Sequence, residues 1–266
     1  MNNSMATSGS TAIDPTMRAS CEQRNRLIAQ LVGRLPGSIP YDNLRPVNVA
    51  GRFDGQTLFD VMTQSHPHIS CQRWHQLFRL GRLQLDGVPV NEDQVVRGGQ
   101  QYQHLFPNTV EPDVNAAIEI IWEDDSLVVV NKPAPLPMHP SGRFNLNTMT
   151  SLLQSVYPNV RLHPAHRLDA NTTGVVVFSR DQEVARQIQQ QFINGDVRKV
   201  YLVRCHHHPP DDAMTCDRAI GRARGQTGMR SIDPCGQTAR TEFRTIRRCH
   251  DGTSLLHAYP VTGRTN

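Results

Sequence analysis

The sequence predicts an α+β protein in two units. Two apolar blocks, residues 127–130 (Leu-Val-Val-Val) and 175–178 (Val-Val-Val-Phe), lack alternation and read as strands buried on both faces. Met149, Leu152, Leu153 and Val156, and later Val184, Ile188 and Phe192, recur at spacings of three and four and read as helices facing a core. Between the two units lies 106–115, where Pro107 and Pro112 mark a linker from a small unit at 51–107 to a larger one at 116–266. A chain of 266 residues can bury cores for both.

Residues 1–20, rich in Ser, Thr, Asn and Met without periodicity, read as a disordered extension. From Glu22 to Leu35 the positions Leu27, Ile28, Leu31 and Leu35 keep helical spacing until Pro36-Gly37. In the small unit Thr57 and Asp60 make a capping box for a helix carrying Leu58, Val61 and Met62. Ser70 caps a second helix, with Trp74, Leu77 and Phe78 on one face and Gly81 past its end. Residues 83–90 are two short strands around an Asp86-Gly87 turn. In the larger unit 118–122 reads as a strand, 123–125 as a turn and 127–130 as the next strand. The Pro-rich 133–140 must leave the sheet as a loop, which brings Lys132, Met138 and His139 near a substrate or simply over the core. Asp181 opens a helix that closes at Gly195. Residues 199–205 form a strand with Lys199, Tyr201 and Val203 on one face.

No apolar run approaches the roughly 20 residues of a membrane span, so a soluble protein is expected. Six cysteines without framework spacing favour reduced thiols in the cytoplasm. The net charge is +4, and Lys132 and Lys199 are the only lysines. The positive charge is therefore nearly all arginine, which suits phosphate and base contacts and equally follows from genomic base composition. The densest run, 218–248, sets eight arginines against Asp233 and Glu242; it reads as an RNA track or as a solvated strand face. Cys205-His206-His207-His208 invites a metal. Neighbours on extended backbone point to opposite sides and paired ligand spacings are absent, so no metal is expected.

The chemistry centres on 163–180. Asp169 stands one loop before the 175–178 strand, a position that reads as a surface turn or as a catalytic carboxylate on a rigid scaffold. His166-Arg167-Leu168-Asp169 with Thr172-Thr173-Gly174 closely resembles the signature of the RluA family of RNA pseudouridine synthases. Residues 126–140, 198–203 and 260–265 resemble that family's Lys-Pro, Lys-x-Tyr and Gly-Arg-Thr motifs in the same order. The resemblance implies a mostly antiparallel mixed-sheet catalytic domain over 116–266. It implies isomerisation of uridine in a structured rRNA or tRNA by a monomer, without cofactor or metal. It makes Asp169 the catalytic carboxylate, has Arg167 hold the flipped-out nucleotide, and has Tyr201 stack on uracil and assist proton loss from C5. His166, Lys199 and Arg264 join the RNA-facing set.

The 51–107 unit resembles an S4-type RNA-binding domain, which would turn Arg73, Arg79 and Arg82 toward phosphate; on the residues alone these are equally solvated helix positions. One departure stands out. The family continues Gly-Arg-Thr with His-Gln-Ile-Arg, whose arginine pairs with the catalytic carboxylate, whereas Asn266 ends this sequence. The resemblance then implies a catalytic domain incomplete at its C-terminus and inactive as it stands. The alternative is a non-catalytic RNA-binding protein built on a truncated synthase fold.

Overall fold

The structure, a computed structural model, describes residues 15–222 and 230–263. In chain order the elements begin with α1 (Pro15–Val32), β1 (Tyr41–Asn48), α2 (Leu58–Ser65), α3 (Cys71–Arg79), β2 (Leu83–Leu85), β3 (Val88–Pro89) and β4 (Gln101–Thr109). There follow β5 (Glu119–Glu123), β6 (Leu127–Lys132), α4 (Met149–Val156), β7 (His163–Pro164), β8 (Gly174–Ser179) and α5 (Gln182–Asn194). The last are β9 (Tyr201–His206), β10 (Ala213–Cys216), β11 (Ile220–Arg222), β12 (Arg230–Ile232), β13 (Thr241–Arg248) and β14 (Thr253–Pro260). Two compact units result, a smaller one of Gly33–Val114 with His139–Ser151 and a larger one holding the rest.

The smaller unit is a four-stranded sheet, order β1-β4-β2-β3, with α2 and α3 closing its core. Thr57 Oγ1 accepts from the Asp60 N–H at 3.1 Å and the Asp60 carboxylate accepts from the Thr57 N–H at 3.4 Å, so the capping box is present. Asp86 and Gly87 hold φ of 50° and 80°, the left-handed pair that a two-residue hairpin turn requires. Leu58, Met62, Trp74, Leu83 and Tyr102 are buried in the core, each contributing roughly 1.5–3 kcal/mol of transfer free energy before entropy is counted.

The unit is wider than the 51–107 of the sequence, because β1 pairs with β4 along its whole length. The expected linker at 106–115 is corrected. Its first half continues β4, and Glu111 is buried, accepting from the N–H groups of Asn145, Leu146 and Asn147 at 2.8–2.9 Å and from the Tyr41 hydroxyl. A carboxylate so satisfied is a fixed point, not a joint.

In the larger unit one sheet runs β5-β6-β8-β7 and another β10-β13-β14-β9, with β11 and β12 as a separate hairpin. Every pairing among the described residues is antiparallel, so the expected mixed sheet is corrected to an antiparallel one. The expectation that 175–178 is buried on both faces is corrected too: Val176 and Phe178 are buried while Val175 is 55% exposed. Here β6 and β8 bury one face each, as antiparallel strands commonly do.

The extension read as disordered over 1–20 is helical from Pro15, and the helix predicted to run to Leu35 stops at Val32; 1–14 lies outside the described residues. Its Ser20 hydroxyl donates to the buried Glu123, which also accepts from Tyr157 at 2.9 Å and Arg180 at 2.6 Å. Asp181 caps α5 and Gly195 ends it at φ 83°, both as the sequence predicts. No helix among the described residues is long and apolar enough to cross a membrane.

Candidate active site

The site is built at the C-terminal end of β6. Alternation along β6 buries Val128, Val130 and then Lys132, which is 0% exposed and pairs across the sheet with Gly174. Gly174 has φ 127°, a backbone that side-chain-bearing residues rarely adopt, which is why a glycine must follow Thr172-Thr173. The Lys132 ammonium gives its three donors to three backbone carbonyls: Pro133 at 3.0 Å, Ala170 at 3.1 Å and Thr172 at 2.9 Å. Two of these follow Asp169 directly. The Thr172 N–H donates to the Asp169 carbonyl at 3.0 Å, and the Leu136 N–H to that of Ala170 at 2.9 Å. The Asp169 loop is thus pinned from the Lys-Pro segment by backbone geometry.

Asp169 itself is half-buried. Burial pushes the Lys132 ammonium down to about 8, with the Asp169 charge opposing the fall. Tyr201, first residue of β9 and paired with Ala258, is half-buried; burial raises its phenol, and the Asp169 charge raises it further. The Asp169 charge is thus felt by both the Lys132 ammonium and the Tyr201 phenol.

The other sequence-predicted residues are placed as follows. Arg167 is exposed, two residues before Asp169. His166 is turned into the fold: its Nε2 accepts from the Val177 N–H at 3.1 Å, its ring stacks on Phe192 at 4.5 Å, and burial lowers its pKa. Lys199 is half-buried, its Nζ 3.9 Å from where a Cβ on Gly263 would stand, and Arg264 lies outside the described residues. Arg73 and Arg79 are exposed on α3 of the smaller unit, donating to Gln76 Oε1 at 2.6 Å and the His75 carbonyl at 3.4 Å; Arg82 follows α3 and is half-buried. Lys132 is the site residue that sequence reasoning left undecided. The period-two pattern Val128, Val130, Lys132 was the available signal, since it sets the lysine on the buried face.

The profile of the RNA pseudouridylate synthase family matches residues 126–266, a span containing Lys132, Asp169 and Tyr201. A human protein named pseudouridylate synthase RPUSD2 is 32% identical over 218 residues, covering 81% of this chain and 40% of that protein. A Saccharomyces cerevisiae protein named tRNA pseudouridine(31) synthase is 28% identical over 268 residues, covering 85% of this chain and 66% of that one. The solved structure of human RNA pseudouridylate synthase domain containing 4 superposes with a TM-score of 0.44 at 29% identity, over 55% of this chain and 59% of that one. The chain thus spans less than two thirds of the length of each of these proteins. With more than half of its residues matched by that profile, the chain belongs to the RNA pseudouridylate synthase family.

Proposed function

We propose uridine isomerisation in a structured RNA, rRNA or tRNA, as the activity of the natural full-length protein, with Asp169 as its catalytic carboxylate. The observation that supports this best is the pinned Asp169 loop: Lys132 fixes the backbone after Asp169 through the Ala170 and Thr172 carbonyls, and Tyr201 lies in the same field. The reaction breaks the bond from C1′ to N1, turns the base and joins C1′ to C5. C5 loses a proton and N1 gains one, so no redox partner is needed. The uracil must first leave its stack, because its ring is unreachable within a helix.

Asp169 acts as nucleophile or as stabiliser of developing positive charge. Arg167, exposed two residues before it, holds the RNA with its target base flipped out, and Tyr201 packs on the uracil and assists proton removal at C5. Lys199 and Arg264 contact the RNA backbone, while His166 supports the loop from within. The smaller unit serves as an S4-type RNA-binding module, with Arg73 and Arg82 toward phosphate and Arg79 also facing the RNA. The protein acts as a cytoplasmic monomer.

The test is tritium release from RNA carrying 5-tritiated uridine, comparing the natural full-length protein with its Asp169→Asn variant. Wild type should release tritium, and the variant should fall below about one-hundredth of that rate, since loss of a covalent catalyst costs several kcal/mol of barrier. Turnover by the variant above that level rules out the assignment of Asp169.

A further inference from the structure

The smaller unit carries a cleft of about 860 Å³ between α3 and residues 91–94, a volume in the range of small-ligand sites. One wall is the helix face of His75, Phe78 and Arg79, spaced by three and four. The other is Asn91, Glu92 and Asp93, held in place by backbone: the Phe59 N–H donates to the Glu92 carbonyl at 3.2 Å and the Leu58 N–H to that of Gln94 at 2.8 Å. Phe78 is 7% exposed and gives the cleft an apolar base.

The side chains are also fixed. The His75 ring stacks on Phe59 at 4.4 Å, and His75 Nδ1 lies 2.6 Å from Glu92 Oε2. This pins the carboxylate while its other oxygen has no partner among the described residues.

A phosphate is a poor occupant, because Glu92 and Asp93 face it against Arg79. A nucleobase suits the mixture of acceptors, donors and apolar floor. Guanine meets it on two edges at once: its adjacent N1–H and N2 amine match a carboxylate, and its O6 and N7 match an arginine. Adenine offers a carboxylate a single amine, and uracil has no exocyclic amine.

We infer that this cleft binds one unpaired guanine of the RNA, Glu92 accepting from its pairing edge and Arg79 donating to O6 and N7. The inference rests on the reading that the chain binds RNA. The smaller unit thereby selects by sequence as well as by charge.

Fluorescence anisotropy with the full chain tests it, using short labelled oligouridines that carry a single central guanine, inosine or adenine, with transfer RNA as reference. The guanine oligomer should bind roughly 5- to 150-fold more tightly than the adenine one, the range for a good bidentate base contact. Inosine, which lacks the N2 amine, should fall between them, and Glu92→Gln should collapse the guanine-to-adenine ratio toward one. Equal affinities, or a preference that survives Glu92→Gln, overturn the inference alone if transfer RNA still binds. If no RNA binds at all, the underlying RNA reading fails with it.

Discussion

Lys132 is fully shielded from water and holds three carbonyl oxygens. Lys132→Met keeps the length of the side chain and removes every donor, leaving the Pro133 and Thr172 carbonyls without this partner while Ala170 keeps the Leu136 N–H. The expected loss is about 1–3 kcal/mol in urea unfolding, the usual cost of leaving buried acceptors unsatisfied. Turnover should fall at saturating RNA more than affinity does, because the loop moves while the exposed arginines do not.

The same residue fixes a direction with pH. Its folded pKa of about 8 lies below the 10.5 of a free lysine, so the cost of burying the charge is present in full below pH 8. Between about pH 8 and 10.5 the unfolded chain binds more protons than the folded one, and stability should rise with pH. A gap between wild type and Lys132→Met that stays constant from pH 7 to 10 would contradict this.

Among the elements, β4 and the residues just after it carry two buried groups whose pKa values both fall in the fold. His104 is buried against Trp74 and Phe106, and its Nε2 has no partner among the described residues. Burial lowers it to about 4, and the nearby His66, Arg73 and Arg82 push the same way. Its contribution is complete above pH 6.5 and is lost as pH falls toward 4, because the unfolded chain takes up the proton first. His104→Phe should flatten that part of the stability curve of the smaller unit, measured by denaturant unfolding.

Glu111, just past β4, behaves as a depressed carboxyl. Burial alone would raise it, but the hydrogen bonds from Asn145, Tyr41, Leu146 and Asn147 outweigh burial and lower it. Tyr41, its partner, is pushed up to about 12 by burial and then by Glu111. Gly37 sits so close that a Cβ there would lie 2.7 Å from both Glu111 and Asn147, so Gly37→Ala should destabilise by at least 1 kcal/mol, as overpacking does. Chemical denaturation of the variant decides this.

The whole molecule was legible where signals were local. The capping box at Thr57, the Asp86-Gly87 turn, the Gly195 stop and the β6 and β8 blocks all depend on neighbours within a few residues. What stayed hidden was long-range. Glu111 and its N–H donors lie 34–36 residues apart, so a proline-flanked carboxylate looked like a linker. Strand β1, with Pro46 and few apolar residues, declares itself only through its pairing with β4. Asp169 is singled out by its motif alone, whereas the contacts that hold its loop leave no local signal.

At this scale the charge of the smaller unit is testable without cutting the chain. Replacing Arg73 and Arg82 with glutamine should weaken RNA binding across sequences. It should also flatten the slope of log affinity against log salt by about 1.4 to 1.8, some 0.7–0.9 for each phosphate no longer neutralised. An unchanged slope would place the phosphate-binding residues elsewhere.

Because the sequence holds only two lysines, the burial of one of them makes the protein its own reporter. Amine-directed reductive methylation of the native chain should modify the amino terminus and the half-buried Lys199 and spare Lys132, read by peptide mass spectrometry. Once an opening of the loop brings Lys132 to water, its amine reacts as an ordinary lysine does. Its labelling rate then measures, without an added probe, how often the loop after Asp169 lets go. Bound RNA that closes the loop should slow that rate.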